Sequence, residues 1–335
     1  MKMQKRLKKF EPQPTAVTHH VTTGRDLEIL YTAVHFGVTT TSLFQSLIDG
    51  SPKGIAHRLQ INFHRGLLQR VRGRINEENV YYVDNLDTLR LLAAHGMISP
   101  DAPEWDSIRN NQKQNKPPSP LFLNHELMIS KFHATLQLAC RQTNGRVQIA
   151  SWRQGPEVWD KVKLPKTRYE NGEWYQEDGT ETCPCRPDAV FTLRFVASSE
   201  DSQEMTFFYE ADRKTSDTTK IRKKLRALWH YIVAQKKHRQ RHGVPRIRAV
   251  LVETLDRQWA WQLRECAKHP IVSGKPSGLF WFVPTEFVRL ENPASIFQKM
   301  WASPVDMTLR SLLGENETLT NRGEENSAFV SRVGA

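Results

Sequence analysis

Two continuous apolar runs in the second half of the chain constrain its fold more than any other feature. They cover residues 246–254 (RIRAVLVET) and 279–283 (LFWFV). Because a strand without polar alternation is apolar on both faces, it belongs in the middle of a sheet that helices cover on both sides. Residues 121–301 contain both runs together with helical patterns, and are therefore predicted to form a domain of the α/β or α+β class.

The chain is long enough for more than one hydrophobic core. Its 335 residues fit two domains of ordinary size. Residues 24–97 carry helical apolar spacing, whereas Asn, Gln and Pro are frequent in residues 98–120. The predicted order is a basic flexible arm (1–23), a helical domain (24–97), a linker (98–120), the α/β domain (121–301) and a polar, loosely ordered tail (302–335).

The charge balance indicates a polyanionic partner. Lys and Arg number 48 against 36 Asp and Glu, which gives a formal net charge of +12. Such a field attracts nucleic acid, so double-stranded DNA is the expected partner. The sequence lacks a continuous apolar run of about 18 residues, and its N-terminus lacks the apolar stretch of a secretory signal. We therefore expect no membrane partner and a cytoplasmic location.

The first domain shows three helical patterns followed by two short β runs. The helices are predicted over residues 25–36, 39–47 and 53–64, and the β runs over 66–71 and 79–83. This order resembles the winged helix-turn-helix, in which the third helix enters the major groove and the hairpin contacts phosphates. The alternative is a small helical domain used for protein contacts.

The resemblance to a winged helix implies a set of DNA-binding side chains. The third helix buries Ile55, Leu59 and Phe63, which leaves its polar side chains for the groove, and the hairpin turn is basic. The predicted contacts are Lys53, His57, Arg58, Asn62, Arg70, Arg72 and Arg74.

The α/β domain contains an acidic motif within a β run. Asp188 begins one predicted strand, and residues 205–215 (MTFFYEADRKT) form the next, so Glu210, Asp212 and Lys214 share one face. Carboxylates brought together repel each other unless a hard divalent cation lies between them. We therefore predict Mg²⁺ or Mn²⁺ bound by Asp188, Glu210 and Asp212, with Lys214 oriented toward water or phosphate, which is the chemistry of metal-assisted phosphodiester hydrolysis. Alternatively, these charges only keep a strand edge soluble.

This arrangement resembles the PD-(D/E)xK nuclease superfamily. The matching residues are Pro187-Asp188, then Glu210-x-Asp212-x-Lys214. The signature lysine normally stands two residues after the Glu, where this chain has Asp212. A site that binds DNA without cleaving it is therefore the alternative to an active nuclease.

Two helices flank the acidic motif in sequence. In nuclease-like folds an acid on the preceding helix joins the site, so Glu126 is predicted as an additional metal ligand, although a helix cap is the alternative. Residues 220–242 form the most basic helical pattern, with an apolar stripe on one side. The cations predicted to hold DNA phosphates near the acids are Arg213, Lys220, Lys223 and Lys224.

Taken together, these motifs resemble the replication-relaxation family of plasmid and mobile-element proteins, over residues 24–290. The resemblance implies a DNA-binding protein of plasmid replication or DNA relaxation. Two alternatives remain open: a metal-dependent DNA endonuclease or nickase, and a non-catalytic replication accessory or transcriptional regulator with a degenerate nuclease domain. A homodimer and contacts with replication or mobilisation proteins are further alternatives.

Overall fold

The chain consists of two compact units, residues 1–134 and 135–335. The computed structural model describes residues 9–71, 78–102, 104–106, 108–109, 119–196 and 203–314. About half of the predicted linker and the whole chain after residue 314 lie outside the described residues. The predicted domain boundaries therefore stay predictions.

The first unit contains the three predicted helices, each of which begins at a capping residue. Thr23, Thr40 and Ser51 accept a backbone N–H from the first turn of the helix that follows, which satisfies a donor that the helix itself leaves unpaired. The predicted core positions of the third helix, Ile55, Leu59 and Phe63, are all buried. The helices are α1 (Gly24–Phe36), α2 (Thr41–Leu47), α3 (Pro52–His64) and α4 (Leu86–Ala94).

A three-stranded antiparallel sheet completes the first unit. Its strands are β1 (Thr39–Thr40), β2 (Gln69–Val71) and β3 (Val80–Tyr82). β3 lies between β1 and β2, so the hairpin that follows α3 also pairs with the segment before α2. The turn of the hairpin, with the predicted DNA-binding residues Arg72 and Arg74, lies outside the described residues.

A buried carboxylate joins α1 to α3. Asp26 is fully buried and accepts hydrogen bonds from Thr23 Oγ1 at 2.7 Å, Asn62 Nδ2 at 3.0 Å and Arg58 Nη1 at 3.2 Å. The expectation that Asn62 lies on the free face of α3 is therefore wrong, because its amide is buried against Asp26. Arg58 is half-buried through the same network, whereas Lys53 and His57 are exposed as expected.

The helix predicted to carry Glu126 is α5 (Pro120–Gln142), which runs through the boundary of the two units. Within the first unit it buries Phe132, and Ser130 Oγ donates to the carbonyl of Phe36 at 2.5 Å. Neither α5 nor any other helix of the described residues combines the length and apolarity needed to cross a bilayer.

A seven-stranded mixed sheet forms the second unit. Among the described residues its strands are β4 (Val147–Gln154), β7 (Ala189–Phe195), β8 (Gln203–Asp212), β9 (Ile247–Thr254), β10 (Phe280–Pro284), β11 (Trp301–Ala302) and β12 (Leu309–Arg310). They lie in the order β12-β11-β10-β9-β8-β7-β4. β8 is antiparallel to β7 and parallel to β9, and β10 is also parallel to β9. Both apolar runs are thus central strands, as predicted.

Helices after β8 pack on one face of this sheet. Phe208 and Val250 from the strands form a core with Leu225, Leu228 and Trp259 from the helices. The apolar stripe predicted for residues 220–242 is buried, but a π-helical turn (His230–Ala234) interrupts the helix. The helices are α6 (Thr218–Trp229), α7 (His238–His242), α8 (Arg257–Lys268) and α9 (Pro270–Ser273). The second unit is therefore a mixed α/β fold, as the sequence predicted.

A long hairpin precedes β7. It consists of β5 (Asp160–Glu170) and β6 (Glu173–Cys185). Asn171 and Gly172 join the strands with φ angles of 50° and 88°, as a tight hairpin turn requires. The hairpin is fastened to α6 by Arg226, which donates to Thr167 Oγ1 at 2.9 Å and to the carbonyl of Pro165 at 2.8 Å.

The described parts of the predicted arm and tail, residues 9–23 and 302–314, contain buried side chains that the sequence did not indicate. Residues 302–314, expected to belong to a loose tail, include the edge strand β12 and the buried Leu312 and Leu313. In the predicted flexible arm, Val17 is buried. Apolar side chains in these otherwise polar segments find partners that only tertiary packing supplies.

The buried imidazole of His242 makes the stability of the second unit dependent on pH. Its ring packs edge-on against Phe208 at 5.4 Å. Burial, with repulsion from Arg153 and Arg241, lowers the pKa of His242 from 6.5 to about 4. Below about pH 6.5 the unfolded chain takes up a proton that the folded chain does not, so stability is lost as the pH falls toward the folded pKa.

We expect wild type to lose about 1–2 kcal/mol more than His242→Phe between about pH 7 and 4.5, because Phe keeps the ring packing without titrating. Urea denaturation at both pH values measures this difference. His95→Gln, which removes an exposed imidazole, is the control and should behave as wild type. An identical pH dependence in wild type and His242→Phe would contradict the prediction.

Candidate functional site

Asp188 and Glu210 are brought together where β7 and β8 pair. The backbone N–H of Asp188 donates to the carbonyl of Tyr209 at 3.0 Å, and its Oδ2 accepts the N–H of Ala211 at 2.7 Å. Asp188 is thus tied to both residues that flank Glu210. The sequence predicted this pairing, and the antiparallel register of β7 and β8 produces it.

Glu210 is a buried carboxylate on a central strand, 2% exposed. Lys224, from the second turn of α6, places its Nζ 2.5 Å from Glu210 Oε2. Burial lowers the pKa of Lys224, but attraction to Glu210, Asp188 and Asp212 outweighs it, and the net pKa lies above its usual value. Lys224 therefore stays protonated and pairs directly with Glu210, while Asp188 and Asp212 add to the negative potential around it.

Asp212 is the last residue of β8, and its Oδ1 accepts two hydrogen bonds. The indole N–H of Trp259 donates to it at 2.7 Å and the backbone N–H of Lys214 at 2.8 Å. Trp259 lies in the first turn of α8 and is buried. Trp259 was not predicted as part of the site, and no spacing in the sequence links it to Asp212, 47 residues earlier.

Lys214 does not share the face of Glu210, which corrects the sequence prediction. The strand ends at Asp212, and Lys214 has a left-handed φ of 56°. Its ammonium lies 3.8 Å from Asp256 Oδ2 and 5.4 Å from the ring centre of Trp259. Because the Asp212 carboxylate accepts the N–H of Lys214, it closes a turn that directs the chain away from the sheet. Lys224, predicted only as a phosphate contact, stands next to Glu210 instead.

A second buried acid lies on the strand next to Glu210. Glu253 of β9 is 1% exposed, and Tyr209 Oη donates to its Oε2 at 2.8 Å. Burial, then the charge of Glu253, raises the pKa of Tyr209, so the phenol is a hydrogen-bond donor at neutral pH. This pair ties β8 to β9 beside the acidic residues and was not predicted.

The remaining predicted contacts have different surroundings. Lys220 is 73% exposed near the start of α6, and Lys223 lies 5.8 Å from the ring centre of Trp174. Arg213 is half-buried, and Arg70 stacks its guanidinium 4.0 Å from the ring centre of Phe63. Their role in binding DNA stays a prediction.

Carboxylate oxygens are the donors that Mg²⁺ and Mn²⁺ prefer, so the donor set of Asp188, Glu210 and Asp212 fits such an ion. Among the residues that the structure describes, no group of three or more His, Cys, Asp or Glu side chains is arranged to hold a metal ion. Glu126 belongs to the first unit and the other three acids to the second. The metal-ligand set stays a prediction.

The family of the chain follows from comparison of its sequence with known families. The profile of the replication-relaxation family matches residues 34–247, more than half of the chain. The chain belongs to the replication-relaxation family. This confirms the resemblance drawn from the sequence motifs. The matched part of this replication-relaxation protein includes Asp188, Glu210, Asp212 and Lys224.

Other comparisons add little to the family assignment. No curated protein matches the sequence. Among solved structures, the replication-relaxation protein is similar to restriction endonuclease FokI bound to DNA, at 9% identity and a TM-score of 0.24. The match covers 81% of this chain and 44% of the FokI chain. A TM-score this low supports no conclusion about fold or function.

The pair of Lys224 and Glu210 is expected to stabilise the second unit. Removing one partner of a fully buried pair costs about 3–5 kcal/mol, but solvent reaches Lys224, so Lys224→Ala should cost only about 1–2 kcal/mol. Urea denaturation measures the loss. Lys220→Ala, on the same helix but largely exposed, is the matched control and should change stability by less than about 0.5 kcal/mol.

A double-mutant cycle isolates the pair itself. If the two side chains interact, Lys224→Ala with Glu210→Gln should be less destabilised than the sum of the single variants. Additive losses would show that the two charges contribute independently.

Proposed function

We propose that this replication-relaxation protein binds duplex DNA and acts on its phosphodiester backbone during replication of a plasmid or mobile element. The observation that carries the proposal is the convergence of Asp188 and Glu210 beside the ammonium of Lys224. In a metal-dependent phosphodiesterase, acids at the ends of adjacent strands bind the metal ion, and a neighbouring cation stabilises the charge on the phosphate. The sheet order, antiparallel at β7–β8 and parallel at β8–β9, supports a fold like that of the PD-(D/E)xK nucleases.

In this proposal the first unit is a winged helix that positions the protein on DNA. The supporting observations are the element order α1-β1-α2-α3-β2-β3 and the pairing of β1 with β3. Lys53 and His57 are exposed on α3, the helix that would enter the major groove. Arg58 is less available, since it pairs with Asp26.

Asp188 and Glu210, with Asp212, would hold Mg²⁺ or Mn²⁺. A divalent ion there supplies an activated water and neutralises charge on the phosphate. The chain itself contributes Lys224, whose half-exposed side chain can donate to a phosphate oxygen brought beside the acids. Trp259 and the backbone of Ala211 keep Asp212 and Asp188 oriented. Lys224 would thus replace the lysine that the PD-(D/E)xK signature places two residues after the Glu.

One observation favours a second candidate, a non-catalytic DNA-binding accessory. The ammonium of Lys224 lies 2.5 Å from Glu210, so this lysine neutralises the carboxylate that a metal ion would otherwise bind. In that case the acidic residues stabilise the fold and the protein holds DNA without cleaving it.

Cleavage of supercoiled plasmid separates the two candidates. With Mg²⁺ or Mn²⁺ we expect wild type to nick the plasmid, and Asp188→Asn and Glu210→Gln to lose this activity by roughly 100-fold or more, because each removes a charged ligand. Gel electrophoresis of the topoisomers measures the rate. Glu286→Gln, which changes an exposed acid bonded to Arg257, is the control and should retain activity. Wild type that binds DNA but leaves it intact in both ions would favour the accessory.

Binding through α3 should depend on salt. Lys53→Ala is expected to weaken binding to duplex DNA several-fold and to reduce the slope of log affinity against log salt by about one, because one phosphate contact is lost. Fluorescence anisotropy at several salt concentrations measures both. Arg90→Ala, which removes an exposed cation from α4 in the same unit, should bind as wild type. Equal effects of the two substitutions would argue against α3 as the DNA-binding helix.

A further inference from the structure

A groove rich in cations lies in the second unit, away from the acidic residues. It has a volume of about 620 Å³, and its lining includes five Lys and Arg side chains. Among the described residues that line it, none is Asp or Glu. The cations are Lys236, Arg239, Arg246, Arg248 and Arg310.

The direction of the strands places this groove opposite the acidic site. The lining includes Ile247, the first residue of β9, and Leu279, which immediately precedes β10. Glu210 is aligned with Val252, five residues further along β9. At about 3.3 Å per residue the two sites are roughly 17 Å apart along the strands. The groove is therefore a separate feature and not an extension of the acidic site.

The backbone around the groove holds its cations in place. The carbonyl of Pro245 accepts from Arg239 Nε at 3.1 Å and lies 3.4 Å from His238 Nε2, which fixes α7 beside Arg246. Lys236 has a left-handed φ of 52°, a strained conformation for a residue other than glycine. Lys236 lies two residues after the π-helical turn His230–Ala234, so the backbone beside the groove departs twice from regular α-helical geometry.

The chemistry of the lining fits phosphate groups. The guanidinium of Arg248 lies 5.4 Å from the ring centre of Trp281, so it is held against the aromatic ring. Arg239 and Arg246 are exposed, and a guanidinium can bind a phosphate through two parallel hydrogen bonds. Of the other groove cations, Arg310 pairs with Asp306, so Arg239 and Arg246 are the two on which the proposal is built.

We propose that this groove binds the phosphate backbone of DNA as a second contact, separate from the acidic site and from α3. The inference rests on the proposed function in one respect, that the chain binds DNA. It adds a second DNA contact on the second unit, at the amino ends of β9 and β10, whereas the acids lie at the carboxyl end of β8. A free phosphate or nucleotide offers the same chemistry, and the experiment distinguishes these sources.

The test is binding of the full chain to a labelled duplex, followed by fluorescence anisotropy over a range of salt concentrations. Arg239→Ala with Arg246→Ala should weaken binding roughly tenfold or more and lower the salt slope by about two. Arg239→Lys with Arg246→Lys should recover most of the slope, because the charges remain. Melting curves establish that the exposed substitutions leave the fold intact.

A matched control removes the same charge elsewhere. Arg257 and Arg289 both bond to Glu286 beyond the other end of β10, and replacing both by Ala should weaken binding by less than about twofold. Equal losses in the control and the groove variant would overturn the proposal, since they would reflect only net charge.

Two further outcomes separate this inference from the proposed function. If wild type binds DNA and the groove variant binds equally well, the groove proposal fails while the proposed function stands. If wild type shows no DNA affinity even at low salt, both fail. Calorimetry with inorganic phosphate and a mononucleotide completes the test: binding of these anions at the groove, without any effect of the groove variant on DNA affinity, would identify a small-anion site and overturn the proposal.

Discussion

The stability of the second unit depends on a partner for one buried carboxylate, that of Glu210. Glu210 stands on a central strand, where removing a charge from water costs several kcal/mol unless a partner compensates. Lys224 is that partner at 2.5 Å, and because it belongs to α6, the ion pair also fixes that helix against β8. Asp188 and Asp212 are oriented by Ala211 and Trp259. Three acids thus remain close together because different elements of the fold hold each of them.

Strand direction then separates the charges of the second unit. Since β8, β9 and β10 run parallel, their carboxyl ends meet at one edge of the sheet and their amino ends at the other. The acids that close β8 lie at the first edge, and the cationic groove lies at the second. The net charge of +12 is therefore not spread evenly. One edge presents carboxylates with a neighbouring lysine, and the other presents clustered guanidinium groups. The two edges therefore differ in the sign of their charge.

Local patterns predicted much of the fold, and non-local contacts account for the errors. The apolar runs identified β9 and β10, and helical spacing identified α1, α2, α3 and α5. The hairpin of β5 and β6 was missed, although the Asn171-Gly172 pair is a recognisable turn signal. Asn62 was placed on the wrong face of its helix because Asp26, 36 residues earlier, buries it.

The sequence by itself determined the acids Asp188, Glu210 and Asp212 and that Asp188, just before β7, lies beside Glu210 of β8, because strand alternation and hairpin pairing are local properties. Only the tertiary structure decided which lysine joins them. Lys214 is nearest in sequence, but the turn closed by Asp212 directs it to Asp256, whereas the packing of α6 on the sheet brings Lys224 to Glu210. The same is true of the groove, where Arg310 of β12 lies with four cations from residues 236–248, a proximity that no local pattern indicates.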